Sequence, residues 1–295
     1  AKHQFQTVRI GEDSVMAREP AKTLRDHFAY RFGEAPPAHD PSGGDGTLVY
    51  LARRRTQREN SERPVPPALI ETLAAAALCA PTKSDLQQRD IVIVRNPSLR
   101  DDIDALFPED KWIAAAPAFL VFCGNNRRQR QLHEWRRRPF ANDHLDAFFN
   151  AAVDAAIVLG TFIIAAERAG LGCCAISAVR DHASRISDLL GLPDHVFPVA
   201  GLTLGWPAGE GTVALRLPLA VTVHGDRFSE AGLRRRIDAY DLRRADLQPY
   251  ARQRHAEEYG TTTPYGWSED KARQYSKPQR ADFGAFVRSK GFRLD

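Results

Sequence analysis

A long apolar helix near the middle of the chain constrains the fold more than any other stretch. Residues 146 to 169 have helical character, no charged residue lies between Asp154 and Glu167, and residues 155 to 166 are apolar nearly all round. A helix without a polar face is buried on all sides, so we expect this one in a core or between subunits. The uncharged run is shorter than the roughly 20 residues that a bilayer span needs, which argues against a membrane helix.

The segments around this helix predict a mixed fold. Gly170-Leu171-Gly172 ends the helix, an apolar run follows to Ile176, and a second helix is predicted over 181 to 190. Other helices are predicted around Leu24, Phe28 and Phe32, from Thr47, and over 66–79, 98–106, 238–258 and 268–291, with strands at 90–95, 118–123 and 219–224. Because helices and strands do not alternate steadily, an α+β fold is favoured over a doubly wound sheet.

Composition divides the chain into an appendage and a main domain. Residues 35 to 46 are rich in Pro, Gly, Asp and Ser and are typical of a linker. We therefore predict an N-terminal arm with linker over 1–46, and a main domain with a helical C-terminal extension over 47–295. Residues 126 to 143 are polar and rich in arginine, and we expect them to form a surface excursion.

The charge balance argues against a nucleic-acid-binding protein. The 41 basic residues are nearly matched by 37 acidic ones, for a net charge of +4, and no helix-turn-helix, zinc-finger or RNA-recognition motif is present. The arginines are nevertheless clustered, at 53–55, 127–128, 136–138 and 234–236. Each cluster is either a solvated surface or a site for an anion, since guanidinium groups pair well with phosphate.

The four cysteines indicate a reducing environment. Cys79, Cys123, Cys173 and Cys174 form no Cys-x-x-Cys pair, and three of them lie in apolar segments. Buried, reduced thiols are expected in a cytoplasmic protein, and we predict that localisation and no metal site.

Short catalytic motifs do not identify the chemistry. The chain has no P-loop, no Gly-x-Ser-x-Gly and no His-Glu-x-x-His. Its Gly170-Leu171-Gly172 follows a helix instead of a strand, so it is interpreted as a helix stop and not as a dinucleotide fingerprint.

Several weak segments become informative through their order. They are Arg54-Arg55-Thr56-Gln57-Arg58 with Pro64-Val65; Lys111 before Ala114-Ala115-Ala116; Val153-Asp154-Ala155-Ala156; Leu189 to Val196 leading into Gly201 to Ala208; and Arg216-Leu217-Pro218. In this order the chain from about Leu48 to Phe228 resembles the flavin-dependent nitroreductases, most closely the type A, oxygen-insensitive group.

The resemblance implies an architecture. Members have an α+β fold with a mostly antiparallel central sheet flanked by helices, and they form intertwined homodimers through long central helices. Two FMN molecules lie at the dimer interface, each touched by both subunits. No membrane or nucleic-acid partner is expected.

The resemblance also implies a set of FMN-binding residues. Arg54, Arg55, Thr56 and Arg58 would hold the phosphate and ribityl chain, with Arg216 closing the phosphate site. Thr82, Lys83, Ser84 and Gln87 would reach the flavin from the partner subunit. Lys111 would lie near the pyrimidine edge of the ring, and Ile176, Ser177 and Ala178 would line it with a backbone N–H facing N5. No catalytic side chain is named.

The activity implied is hydride transfer by a ping-pong cycle. NADPH or NADH would reduce FMN at N5, and a small-molecule acceptor such as a nitroaromatic or a quinone would then be reduced. The alternative is a specialised reaction of the same fold: flavin reduction for a partner oxygenase, reductive dehalogenation or flavin fragmentation.

The chain departs from the family pattern at three places. Arg54 stands where the family has His, and Ala214-Leu215 stands where it has Lys-Pro. Residues 258 to 266, which match the loop that recognises the NADPH 2′-phosphate, contain no Arg or Lys. Because that phosphate needs cations, the nucleotide preference stays open, with arginines of 127–138 or 252–254 as substitutes.

Overall fold

A computed structural model describes residues 23–34 and 46–295; the predicted arm and linker therefore lie largely outside the described residues. The described chain divides into two compact units. One contains residues 23–34, 46–54 and 215–240, and the other contains residues 55–214 and 241–295.

The smaller unit is helical. It contains α1 (Leu24–Phe32), α2 (Thr47–Arg53) and α9 (Leu219–Thr222), and α10 (Leu233–Leu247) begins in it. Thr23 caps α1, since its hydroxyl accepts the Asp26 N–H at 3.1 Å and the Asp26 carboxylate accepts the Thr23 N–H at 3.0 Å.

One prediction in this unit is wrong. Residues 219 to 224, predicted as a strand, begin with the short helix α9. Pro218 starts a turn there, and the Val221 N–H donates to its carbonyl oxygen at 2.9 Å.

The larger unit is built on a four-stranded antiparallel sheet. Its strands are β1 (Arg89–Val94), β2 (Ala118–Asn125), β3 (Gly172–Ile176) and β4 (Val196–Gly205), in the order β1-β2-β4-β3. One row across the sheet runs through Val92, Val121, Gly201 and Ile176. The α+β class and the antiparallel sheet are confirmed, and β1 and β3 form the two edges.

The helices of this unit are, in chain order, α3 (Pro67–Leu78), α4 (Pro97–Asp104), α5 (Lys111–Ala114), α6 (Arg127–Trp135), α7 (Leu145–Arg168), α8 (Ala183–Leu189), α11 (Ala256–Tyr259), α12 (Trp267–Tyr275) and α13 (Phe283–Ser289), besides the end of α10. The two long C-terminal helices that were predicted are each broken, because Pro249 and Pro278 cannot continue a helix. The predicted excursion after β2 instead begins with a regular helix, α6.

Hydrophobic layers cover both faces of the sheet. Leu120 and Phe122 of β2 face a cluster formed with α3 and α7, whereas Phe119, Val121 and Cys123 face a cluster formed with α4, α5 and α8. This alternation along β2 is the period of a strand, and every residue of β2 is buried because both faces are covered.

The central helix α7 is only half buried in one chain. Ala151, Asp154 and Phe162 are fully buried, but Phe149 is 58% exposed and Val153 and Ile164 are each 37% exposed. An apolar face of α7 is thus left uncovered.

The full helix has 24 residues and is long and apolar enough to cross a membrane, as core helices of soluble proteins also can be. The argument from the length of the uncharged run is therefore wrong.

Candidate active site

An extended segment that contains Arg55, Thr56 and Arg58 lies along the outer edge of β3. Gln57 fixes it: its N–H donates to the Cys173 carbonyl at 2.9 Å and its Nε2 donates to the Glu59 carbonyl at 2.6 Å. Successive side chains of an extended segment point in opposite directions. Gln57 is therefore buried while Thr56 and Arg58 are exposed.

Arg58 lies between β3 and the start of α5. Its guanidinium carbon is 5.3 Å from the centroid of the Trp112 ring, within range of a cation–π interaction. Burial raises the pKa of the Cys174 thiol in β3, and the nearby positive charge of Arg58 acts in the opposite direction. These contacts bring a residue of the first basic cluster beside Trp112, the residue that follows Lys111.

Lys111 is exposed at the first position of α5, and α5 is held in place by Arg100 of α4. The Arg100 Nη2 donates to the Ile113 carbonyl at 2.5 Å, and its Nε lies 2.8 Å from both carboxylate oxygens of Asp104. Ile113 and Ile176 pack in the same hydrophobic cluster. The amine of Lys111 is thus presented from a fixed helix that shares its core with the end of β3.

The third predicted group, Ile176, Ser177 and Ala178, lies at the carboxyl end of β3. Ile176 is buried, and a 3₁₀ helix, Ser177–Arg180, begins directly after it. The first N–H groups of a helix have no acceptor within the helix, so they are free to meet a ligand. Ser177 is exposed, and its hydroxyl accepts the Arg280 Nη2 at 3.2 Å.

The fourth predicted group, Thr82, Lys83, Ser84 and Gln87, lies elsewhere. These residues form the loop that leads into β1, at the sheet edge opposite to β3. The backbone is unusual there, with positive φ at Ser84 (49°), Asp85 (55°) and Gln87 (52°). A single chain therefore does not bring this loop to the residues around Arg58.

Buried and charged side chains hold this loop from two sides. The Asp154 carboxylate accepts the Lys83 N–H at 3.0 Å and the Gln88 N–H at 2.9 Å. From α6, Arg128 donates to the Gln87 carbonyl at 2.8 Å and Gln129 donates to the Leu86 carbonyl at 2.7 Å. The segment expected to be a surface excursion thus supports the loop.

Arg54 and Arg216 belong to the smaller unit, where Arg31 joins their backbones. The Arg54 carbonyl accepts the Arg31 Nη2 at 2.6 Å, and the Arg216 N–H donates to the Arg31 carbonyl at 2.7 Å. The Arg216 side chain is exposed. Their assignment to an FMN phosphate stays a prediction.

The loop expected to meet the nucleotide phosphate is organised by Arg273. This buried guanidinium donates to the carbonyls of Arg254 at 3.0 Å and Gly260 at 2.7 Å. Arg254 itself is paired with the buried Asp270 at 3.1 Å.

Two of the other arginines considered as substitutes are also paired. Arg128 contacts Asp90 at 2.6 Å and Arg130 contacts Asp143 at 2.5 Å. Arg128, Arg130 and Arg254 are therefore each paired with a carboxylate of the same chain.

Sequence reasoning missed four residues at or near these groups: Arg31, Trp112, Asp154 and Arg280. Two had a local signal, because Trp112 adjoins Lys111 and Asp154 is a carboxylate at the head of an uncharged run. Arg31 and Arg280 had none, since each acts on residues far away in sequence. Among the residues described, no group of three or more His, Cys, Asp or Glu side chains is placed to hold a metal.

Comparisons with known proteins identify what this arrangement is similar to. Residues 51–206 match the model of the nitroreductase family, and residues 215–295 match the model of its C-terminal domain. An FMN reductase [NAD(P)H] of Bacillus subtilis is 30% identical over 250 residues, covering 83% of this chain and 97% of its own. An oxygen-insensitive NADPH nitroreductase of Salmonella typhimurium is 32% identical over 182 residues, covering 62% of this chain and 74% of its own.

Solved structures agree with the sequence comparisons. The hypothetical oxidoreductase YcnD of Bacillus subtilis superposes with a TM-score of 0.77 at 27% identity, covering 85% of this chain and all of its own (100%). The NADPH:FMN oxidoreductase of Vibrio harveyi, solved in complex with NAD+, superposes with a TM-score of 0.72 at 26% identity, covering 84% and 98%.

Proposed function

Because this chain belongs to the nitroreductase family, it is an FMN-dependent NAD(P)H oxidoreductase, and we propose that it reduces nitroaromatics, quinones or related small acceptors. The observation that carries the proposed site is the convergence of Arg58, Lys111 and residues 176–178 at the β3 edge of the sheet.

The donors at this edge fit FMN. The phosphate group is an anion that pairs with guanidinium forks and hydroxyls, and Thr56 and Arg58 present these from one side of the extended segment, with Arg55 on its other side. The isoalloxazine ring is flat, apolar on its faces and polar at its edges. The end of β3 matches it with the buried Ile176, the half-buried Ala178 and the first backbone N–H groups of the 3₁₀ helix.

Each group then has a defined task. FMN supplies the chemistry when bound, since it takes a hydride from NAD(P)H and returns it to the acceptor. Arg55, Thr56 and Arg58 would hold the phosphate and ribityl chain. Lys111 would provide positive charge that favours electron uptake at the ring. Solvent would supply the protons, so no side chain is assigned as a general acid or base.

We further propose a homodimer in which the second subunit completes the site. The uncovered face of α7, with Phe149, Val153 and Ile164, is suited to burial against another copy of the chain. The loop with Lys83, Ser84 and Gln87 lies at the sheet edge opposite to Arg58, so it would contribute to the partner's flavin. Thr82, which supports this loop by accepting the Gln87 N–H at 3.3 Å, would act with it.

We propose a cytoplasmic location without membrane or nucleic-acid partners. The four cysteines are free, and three are buried, which suits a reducing compartment. The near balance of acidic and basic residues supports the absence of a nucleic-acid partner.

The decisive experiment is an absorbance spectrum of the purified protein, followed by anaerobic titration with NADH and NADPH. Flavin bands that bleach with either nucleotide are expected, with turnover when a quinone or nitroaromatic is added. A colourless protein that also fails to take up added FMN would overturn the proposal. Bleaching without turnover of any free acceptor would favour the alternative, flavin reduction for a partner oxygenase.

A further inference from the structure

Asp154 is a carboxylate buried inside an apolar helix. It is 0% exposed, and its neighbours in α7 form one wall of the hydrophobic cluster shared with α3 and the sheet. Burying a charged carboxylate is unfavourable unless hydrogen bonds replace its water. The partners that replace this water therefore show what the residue is for.

Both carboxylate oxygens are used on one loop. Oδ1 accepts the Lys83 N–H at 3.0 Å, and Oδ2 accepts the Gln88 N–H at 2.9 Å. Lys83 and Gln88 are the two ends of the loop that precedes β1. One side chain thus joins the loop's entrance to its exit, and both are anchored to the longest helix of the larger unit.

Three residues between these two hydrogen bonds have backbone conformations that are unfavourable for residues other than glycine. Ser84, Asp85 and Gln87 all have φ between 49° and 55°, in the left-handed region where residues other than glycine are strained. Such conformations persist only where the surroundings determine them. Asp154 supplies that constraint from the core side, at a point where solvent does not compete.

The same turn of α7 faces the proposed dimer surface. Val153, next to Asp154, is 37% exposed on the uncovered side of the helix. The loop is therefore held by the element that would meet the second subunit.

We propose that Asp154 is a positioning residue for the flavin site of the partner subunit. It closes the loop over residues 83–88 so that the side chains of Lys83, Ser84 and Gln87 are presented in one fixed arrangement. The inference rests on the proposed function, because these side chains are assigned to FMN there. Asparagine would not replace the carboxylate, since it has one acceptor oxygen and would turn an N–H donor toward a backbone N–H.

The test compares Asp154→Asn with Asp146→Asn. Asp146 is a suitable control because it is on the same helix and is exposed, and its carboxylate accepts a hydrogen bond from the Asn150 side chain at 2.7 Å. Two quantities are measured in the dimer, residue-resolved amide hydrogen exchange without flavin and the dissociation constant of FMN.

For Asp154→Asn we expect exchange at Lys83 and Gln88 to accelerate about tenfold or more, and the FMN dissociation constant to rise about tenfold or more. Amides of β2 should keep their protection, which a general loss of stability would not allow. Asp146→Asn should match the unmodified protein in both measurements.

Unchanged exchange and unchanged FMN affinity in Asp154→Asn would overturn the inference. If that variant does not fold, the unmodified protein decides: Lys83 and Gln88 amides that exchange as fast as the Ser84 amide would refute the clamp, and slower exchange would support it. The two proposals fail separately. An unmodified protein that binds no FMN refutes the proposed function, whereas the exchange pattern still reports on Asp154.

Discussion

Arg58 was recognised in the sequence as part of a basic cluster, and the folded chain shows what surrounds it. The basic cluster suggests an anion, and the structure adds the Trp112 ring at 5.3 Å and the neighbouring Cys174. We expect Arg58→Ala to raise the FMN dissociation constant about 10- to 100-fold, because a hydrogen bond to a charged group is lost. The measurement is fluorescence quenching of FMN on titration with flavin-free protein.

Arg63→Ala provides a matched control for this substitution. Arg63 is an exposed arginine five positions along, and it stacks on Trp206 at 4.0 Å instead of approaching β3. Its replacement should leave FMN affinity unchanged. If both variants bind FMN equally well, Arg58 does not contact the phosphate group.

We expect His195 to make the stability of the protein depend on pH. Its Nε2 is 3.0 Å from the Gly291 carbonyl, and its backbone N–H donates to the Lys290 carbonyl at 2.8 Å. Burial lowers the pKa of His195 from its ordinary value of 6.5, with Arg130 acting in the same direction.

The sign of this effect follows from proton uptake. Because the folded-state pKa is below the unfolded value, the unfolded chain binds more protons at mildly acidic pH, and stability falls as the pH drops below about 6.5. We expect His195→Asn to lose less stability than the unmodified protein between pH 7.5 and 5.5, as measured by urea unfolding. Asparagine suits the site because it tolerates the positive φ of 62°. Equal losses in both proteins would refute this role.

Among the elements, α7 shows that an apolar sequence pattern can predict a helix correctly without showing what buries that helix. The uncharged run predicted a helix surrounded by other groups, and the helix of a single chain has one uncovered apolar face. Burial on all sides therefore requires a further surface, which the proposed homodimer would supply.

We expect Ile164→Glu to weaken the dimer at least about 100-fold, because two-fold symmetry would place uncompensated carboxylates in the interface. Light scattering at micromolar concentration would report a monomer, and FMN affinity would fall because the Lys83 loop no longer reaches the partner's flavin. Ser184→Glu, which adds the same charge at an exposed position of α8, should leave the dimer intact. A monomeric unmodified protein with tightly bound FMN would contradict the dimeric site.

At the scale of the whole molecule, the distribution of cations predicts weak discrimination between NADH and NADPH. Residues 258 to 266 have no Arg or Lys, and Arg254 is paired with Asp270. We expect the two kcat/KM values to agree within about tenfold, since residues 258 to 266 offer no charged hydrogen bond that would separate the two nucleotides. Steady-state rates with a quinone acceptor test this. A preference for NADPH above about 100-fold would require a cation from another part of the chain or from the partner.

Properties that depend on near neighbours could be predicted from the sequence. The helix predicted over 146–169 is α7, and the strands predicted at 90–95 and 118–123 are β1 and β2, displaced by one or two residues. Periodicity and chain breakers act within a few residues, so these elements carry their own signal. The family, its cofactor and the basic cluster followed from short segments in a fixed order.

Where the local signal was ambiguous, the prediction failed. The strand expected over 219 to 224 begins with the helix α9, and the surface excursion expected over 126 to 143 begins with the helix α6. Intrinsic preferences amount to only about 1 kcal/mol per residue, so they do not decide the conformation of such segments.

Fold class, family and most of the regular elements followed from the sequence alone, which also predicted the residue types of the flavin site. Which residues meet became visible only in the folded chain: Asp154 binds Lys83 across 71 positions, Arg280 reaches Ser177 across 103, and Arg58 lies over the Trp112 ring. The tertiary structure also placed the Lys83 loop and Arg58 at opposite edges of the sheet. The difference lies in sequence separation. Helix and strand signals arise from contacts between near neighbours in the sequence, whereas a buried carboxylate binds whichever donors the packed chain brings to it.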